Sequence, residues 1–426
     1  MRRGIQSWLD SDSLSLPAFV WRNGAAVTRG AIAEAAAQAC AAVLATPHER
    51  ILLTNPEPRT FLAEFLGTLA AGRTPVLSGG HRLSTLLSHA DAMFPGAETG
   101  TLPVVRPSQG RSAALPAIPD EGKFVLFTSG STGTPKAVRK TVRQMDLEAE
   151  ATAGILGAPD GIRSVAATVD PLHLYGLTFA VWLPMSCGIP RLLPRLETPE
   201  EISGIPRGSV LVSSPSFLHF LDPRVPAPVL SGLVSAGAPL GDDDAAKARD
   251  YLGTVPTEIY GSTETGVVGF RLTDRPGKPV SPAPGVSVNG DGSVSSPFCE
   301  GGRAELGDRV RVLQDGRFEL LGRKDRIVKV AEERVSLGEV EAAVRETLGF
   351  TVIALVIEKG GRRMIGAVAD LSRSGGFERA RSREYRRELS KRLRPAAIPR
   401  CWRAVPSFPL DRQGKVDLDR IRELFN

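Results

Sequence analysis

The chain has 426 residues, 42% apolar and 23% charged. That is the balance of an ordinary folded protein and excludes a disordered one. Its length suggests two to three domains, and no apolar run reaches the ~18–20 residues needed to span a bilayer. The net charge of +6 is mild but uneven. Between Leu371 and Arg403, eleven Arg/Lys face three Glu, a local excess of +8. Such a stretch is either a docking surface for something anionic (nucleic acid, phosphates or an acidic partner protein) or a solvated helix face. The N-terminus carries Arg2 and Arg3 but no long apolar stretch before Asp10 and Asp12. This argues against a signal peptide and for a cytoplasmic protein.

In chain order, the alanine-rich segment 31–45 predicts a helix. Residues 51–55 (ILLTN) predict a strand, 60–72 a helix ending at Gly72, and 74–79 (TPVLSG) the next strand. This alternation points to an α/β layer structure. Residues 124–130 (FVLFTSG) read as a buried strand entering a glycine-rich turn. SVAATVD, RLLPR, GSVLVSS and GLVSAG read as further short strands between helices. After Gly266, VGFRL, GVSVNGDGSVSS, RVRVL and RFELLG predict short strands and hairpins. From Gly322 the pattern shifts again: RIVKV a strand, SLGEVEAAVRETLG a helix, TVIALVIEKGGRRMIGAVAD a hairpin and EYRRELSKRL a helix. A domain boundary is expected near 321–326. Cys40, Cys187, Cys299 and Cys401 are too scattered for a zinc site or a redox pair and are expected as small apolar residues. No helix-turn-helix, RNP or zinc pattern accompanies the basic stretch, so nucleic acid is not an expected partner.

The most informative segment is Phe127-Thr-Ser-Gly-Ser-Thr-Gly-Thr-Pro-Lys136. Its glycines let backbone N–H groups approach an anion, its hydroxyls add donors and Lys136 adds charge. This suits a triphosphate cradle. It is not a Walker A loop, because Pro135 precedes the lysine and Ala137 follows it.

The order of these residues resembles the phosphate-binding signature of the adenylate-forming superfamily, which includes acyl- and aryl-CoA synthetases, peptide-synthetase adenylation domains and luciferases. Three further segments of the large domain, and three of the small domain, resemble that family in the right order. Ile259-Tyr-Gly-Ser-Thr-Glu-Thr-Gly266 is similar to its Tyr-Gly-x-Thr-Glu segment, Ser235-Ala-Gly-Ala-Pro-Leu240 to its Gly-Gly-Ala-Pro-Leu stretch, and Pro171-Leu-His-Leu-Tyr-Gly176 to part of its acyl pocket. In the small domain, Gly307-Asp308, Gly322-Arg-Lys-Asp-Arg-Ile-Val-Lys329 and Pro409-Leu-Asp-Arg-Gln-Gly-Lys-Val-Asp417 resemble the ribose, hinge and catalytic-lysine segments.

The resemblance implies an α/β fold. A large N-terminal domain (1–321) of layered α/β subdomains would carry a reduced β-rich subdomain, and a small mobile C-terminal α+β domain (322–426) would turn about Asp325. It implies an AMP-dependent carboxylic acid ligase that uses ATP and Mg²⁺. Thr128, Ser129, Gly130, Ser131, Thr132, Gly133 and Lys136 would hold the phosphates. Gly237, Ala238 and Pro239 would flank the adenine, with Tyr260 and Gly261 beside it. Thr263 would contact phosphate and Glu264 would hold Mg²⁺. Asp308 and Arg323 would take the ribose. Lys415 would be the catalytic lysine, and His173 would line the carboxylate end of the acyl pocket with Tyr175, Gly176, residues 213–217 and residues 235–237. The implied acid is small aryl or medium acyl. The acceptor is the thiol of CoA or the phosphopantetheine of an acidic acyl carrier protein. The chain departs from the family at Ala137 and at Glu332, both glycine positions there. A glutamate at 332 would disfavour polyanionic CoA, which tilts the expectation toward a carrier protein. The alternative is a non-catalytic relative that binds nucleotide and partners.

Overall fold

A computed structural model describes residues 4–79, 83–96, 102–107, 113–129, 135–156, 161–274, 277–324, 326–330, 333–359, 362–410 and 416–425. Two compact units result, Met1–Glu305 with Val312–Glu319, and Leu306–Arg311 with Leu320–Asn426.

Among the described residues of the first unit, two sheets dominate. One has nine strands in the order Ser281–Pro282, Gly266–Leu272, Thr257–Ser262, Leu230–Ser235, Ser209–Ser213, Val165–Ala167, Arg191–Leu193, Pro17–Trp21 and Ala26–Thr28. Its middle strands run parallel. Ser209–Ser213 is buried along its whole length, as expected of a parallel strand covered on both faces. The other sheet has five strands in the order Ala92–Met93, Arg50–Leu53, Thr74–Leu77, Lys123–Ser129 and Pro135–Thr141. The last pair is antiparallel.

The predicted helices of this region are present as Arg29–Leu44 and Pro58–Ala70. The Thr28 hydroxyl accepts the Ala31 N–H at the start of the first, and the Glu57 carboxylate accepts the Thr60 N–H at the start of the second, each satisfying an orphan donor of the first turn. The two helices cross at Gly67. A Cβ there would lie 2.4 Å from the Ala36 carbonyl oxygen and 2.7 Å from the Ala39 Cβ, so only glycine permits this approach. Phe65 of the second helix packs edge-on against Phe124 and Trp182, at 5.3 and 6.0 Å between ring centroids. The five-stranded sheet is thereby locked to the helical segment that follows His173. The segment after Gly266 supplies a small three-stranded sheet, Ser287–Val288, Ser293–Ser295 and Arg303–Glu305, matching the expected hairpins.

In the second unit, Val352–Lys359 and Arg362–Asp370 form an antiparallel pair, with Cys401–Val405 parallel to the latter. One face of this sheet, including its own Trp402, packs with Val340 and Val344 of helix Leu337–Leu348 and with Tyr385 and Leu389. The other packs with Ile421 of helix Leu418–Glu423. The helix predicted through EYRRELSKRL is shorter, Ser382–Leu389. Residues 390–393 turn instead, with the Leu393 N–H on the Leu389 carbonyl at 2.8 Å. Arg394 is extended at ψ 154°, as the residue before a proline must be. Cys40 and Cys299 are buried, and no disulfide joins the four cysteines. No helix among the described residues is long and apolar enough to cross a membrane.

Candidate active site

The glycine-rich segment proves to be the connection of a β-hairpin. Lys123–Ser129 and Pro135–Thr141 pair antiparallel, with Thr128 opposite Lys136 and Ser129 opposite Pro135. Gly130, Ser131, Thr132 and Gly133 lie outside the described residues. A second strand follows the loop where a Walker A loop would open a helix. The helix, Val142–Ala153, begins only after Thr141, which closes a capping box with Gln144. Lys136 is exposed, as is Ala137.

The Tyr260–Gly266 segment joins strands Thr257–Ser262 and Gly266–Leu272 in a tight turn. Two hydroxyls tie it shut. The Ser262 N–H donates to Thr265 Oγ1 at 2.9 Å, and the Thr265 N–H donates to Ser262 Oγ at 3.2 Å. Thr265 is buried, whereas Thr263 and Glu264 are half-buried at the tip. A Cβ on Gly261 would stand 2.3 Å from the Gly266 carbonyl oxygen, so the two legs are nearly in contact. The Tyr260 ring leans on Phe318 at 5.7 Å between centroids.

These two motifs, 136 residues apart in sequence, meet. Thr128 Oγ1 donates to Glu264 Oε1 at 3.3 Å. The third motif is tethered to the same strand. The Leu240 N–H donates to Glu258 Oε1 at 3.2 Å, and Arg271 holds the other oxygen of Glu258 at 2.8 Å. Gly237, at φ +93°, Ala238 and Pro239 are exposed at the end of strand Leu230–Ser235. Nothing lies within 4 Å of where a Gly237 Cβ would be, so a planar ligand has room there.

His173 is half-buried and packs on the backbone of Gly79, whose Cβ would fall 3.4 Å from Nδ1. It therefore faces the end of strand Thr74–Leu77. Gly176 admits no side chain, because a Cβ would stand 2.0 Å from the Asp170 carbonyl oxygen. Tyr175 and the serines are tied into the sheet. The Tyr175 hydroxyl reaches the Ser213 carbonyl at 2.8 Å and the Val234 carbonyl at 3.2 Å, and burial holds its pKa well above the usual phenol range. Ser213 and Ser235 are fully buried at the strand ends. Tyr175 thus lies at carbonyls near the ends of two neighbouring parallel strands.

In the second unit, Asp308 is half-buried at the start of strand Asp308–Val312 and Arg323 is exposed at the end of strand Phe318–Arg323. They are neighbours there: the Lys324 N–H donates to the Gly307 carbonyl at 2.8 Å, and a Gly307 Cβ would lie 3.0 Å from Arg323 Nη1. Asp325, Glu332 and Lys415 lie outside the described residues. The flanks of Lys415 are described. Leu410 bridges Val416, and the Asp417 N–H donates to the Pro409 carbonyl at 2.8 Å.

Among the described residues no three His, Cys, Asp or Glu side chains form a metal cage. The donor set at Thr128 and Glu264 is one carboxylate plus hydroxyls. That fits Mg²⁺, which takes one or two carboxylates and completes its shell with phosphate and water. Sequence reasoning missed Lys140 and Glu148, both essentially inaccessible beneath this turn. The signal was present for Lys140, which shares the inward phase of Val138 along strand Pro135–Thr141.

A family model described as AMP-binding enzyme matches residues 24–292. A 4-coumarate–CoA ligase of Rhodobacter capsulatus is 31% identical over 311 residues, covering 71% of this chain and 76% of that protein. An L-proline–[L-prolyl-carrier protein] ligase of Streptomyces coelicolor is 27% identical over 371 residues, covering 73% and 68%. Among solved structures, a benzoate CoA ligase from Burkholderia xenovorans superposes with a TM-score of 0.81 at 21% identity, over 98% of this chain and 99% of that one. ATP-bound MatB from Rhodopseudomonas palustris gives 0.82 at 19%, over 100% and 99%. The expected α/β architecture therefore holds over the full chain, and the protein belongs to the AMP-binding enzymes, the adenylate-forming superfamily of ligases.

Proposed function

We propose that this protein activates a small aryl or medium acyl carboxylic acid with ATP and then transfers the acyl group to a thiol. In the first step a carboxylate oxygen attacks the α-phosphorus, the bond to the β-phosphate oxygen breaks, and acyl-adenylate and pyrophosphate form. In the second, a thiolate attacks the acyl carbon and AMP leaves. The observation that carries this reading is the meeting of Thr128 with Glu264, which joins the phosphate hairpin to the turn bearing the metal carboxylate.

Each residue has a physical task. Residues 128–136 would hold the β- and γ-phosphates through backbone N–H groups, hydroxyls and the Lys136 ammonium. Tyr260 would cover the adenine, with residues 237–239 along its edge and Gly261 and Thr263 near the phosphates. Asp308 would accept the ribose hydroxyls, with Arg323 beside it. Lys415 would sit at the α-phosphate, where negative charge develops, and neutralise it. His173 would line the carboxylate end of the acid pocket. Mg²⁺ on Glu264 would supply charge neutralisation on the phosphates.

For the acceptor, a phosphopantetheinyl carrier protein is favoured over CoA. Arg379, Arg383 and Arg387 are exposed and Arg386 is half-buried around helix Ser382–Leu389, a basic surface complementary to an acidic carrier. Both acceptor classes occur among the relatives. The decisive experiment mixes the protein with ATP, Mg²⁺ and a panel of aryl and acyl acids. Pyrophosphate is measured, and thioesters on CoA and on a carrier protein are read by mass spectrometry. Acid-dependent pyrophosphate release is expected. Its absence across the panel, with nucleotide still bound, would overturn the ligase reading.

A further inference from the structure

Beneath the Tyr260–Gly266 turn lie two buried side chains of opposite charge type that none of the nucleotide motifs includes. Lys140 sits on strand Pro135–Thr141, four residues beyond Lys136, with 0% of its surface exposed. Glu148, on helix Val142–Ala153, is 1% exposed. Lys140 Nζ donates to the Phe298 carbonyl at 2.5 Å. Glu148 Oε1 accepts the Val267 N–H at 2.7 Å. Gly266 is caught between them. Its φ is +69°, and a Cβ there would stand 2.9 Å from Glu148 Oε1 and 3.1 Å from Lys140 Nζ. Both heads thus lie against Gly266, Glu148 bonded to the 266–267 peptide and Lys140 to Phe298.

Burying two charges is costly, and apolar residues of similar volume often serve stability as well or better. Two ionisable side chains buried at this place, each on its own backbone partner, need another reason. The strand of Lys140 is the outgoing leg of the phosphate hairpin, and Val267 begins the outgoing leg of the Glu264 turn. Ser262 and Thr265 already lock the legs of that turn together. Fixing Val267 therefore fixes Glu264 relative to Thr128. Lys140 also lies in the field of Glu264 itself.

We propose that Lys140 and Glu148 are positioning residues: a buried clamp that holds the Glu264 turn against the phosphate hairpin and so presets the metal–nucleotide site. The metal part rests on the proposed function above.

The test compares Lys140→Met/Glu148→Leu, Glu148→Gln and Glu264→Gln with the unaltered protein. Three quantities are read: melting temperature, amide exchange over residues 260–267 without ligand, and Mn²⁺ affinity in the presence of α,β-methylene-ATP by electron paramagnetic resonance. A pair that served packing alone would be replaced by the Met/Leu pair without loss in any readout. The clamp is expected to leave the melting temperature of the Met/Leu variant nearly unchanged, speed exchange over 260–267 by at least about tenfold, and weaken Mn²⁺ about 10–100-fold. Should that variant fail to fold, Glu148→Gln takes its place: it keeps only a weaker, uncharged acceptor for Val267, so exchange over 260–267 is expected to quicken and Mn²⁺ to weaken in the same direction by a smaller factor. Unchanged exchange over 260–267 overturns the clamp. Unchanged Mn²⁺ affinity, with Glu264→Gln weakened, overturns its role toward the metal. Unchanged affinity in Glu264→Gln instead overturns the assignment of the metal to Glu264, and exchange alone then decides for or against the clamp.

Discussion

Adding one methyl group at Gly261 isolates the geometry on which the proposed function depends. An alanine Cβ there would lie 2.3 Å from the Gly266 carbonyl oxygen, against about 3.4 Å for ordinary contact. The legs of the turn must therefore separate by about 1 Å. The obstruction is backbone, so no side-chain rotation relieves it. Overpacking of this kind costs roughly 1–3 kcal/mol of stability. The same 1 Å shift moves Glu264 and Thr263 relative to Thr128, and a misplacement of that size near reacting groups costs on the order of 10²-fold in rate. The assay is ATP–pyrophosphate exchange with a competent acid, run beside a thermal melt. Gly290→Ala is the control, since a Cβ at Gly290 would meet nothing within 4 Å. Gly261→Ala should lose about two orders of magnitude in exchange while Gly290→Ala loses none. Exchange within threefold of the unaltered protein, in a Gly261→Ala variant that melts normally, would refute the argument that the closed turn presets the site.

Other tests are more direct. Lys415→Ala should abolish ATP–pyrophosphate exchange yet still convert preformed acyl-adenylate to thioester; retained exchange would remove Lys415 from the first step. Arg386→Glu/Arg387→Glu should slow carrier-protein loading by about tenfold at low salt and flatten its ionic-strength dependence. A loading rate indifferent to both salt and charge reversal would exclude electrostatic docking there. Glu64 gives a pH test of the core. It is 4% exposed, its Oε2 has no hydrogen-bond partner, and burial pushes its carboxyl up to about 8. The folded state thus keeps a proton that the unfolded chain releases near pH 4.5. The stabilisation is fully present below that value and is lost as pH rises toward 8, at up to about 1.4 kcal/mol per pH unit. Glu64→Gln should remove that slope from urea melts between pH 5.5 and 8, and an identical slope in both proteins would show that Glu64 titrates normally.

Much of this was legible from residues alone. The strand–helix alternation of 31–79 and the hairpins after Gly266 follow from local periodicity and turn residues, and they appear where they were read. The motif order from Thr128 to Glu264 marked an adenylate-forming chain because a phosphate cradle needs particular small residues in a particular sequence. Tertiary structure decided what lies far apart along the chain. Only folding brings Thr128 to Glu264, turns the Tyr175 hydroxyl onto strand carbonyls and buries Lys140 and Glu148 under the turn. Local pattern records which face a residue occupies. It carries no record of which distant peptide that face will meet, because that is set by the packing of elements 38 to 158 residues apart.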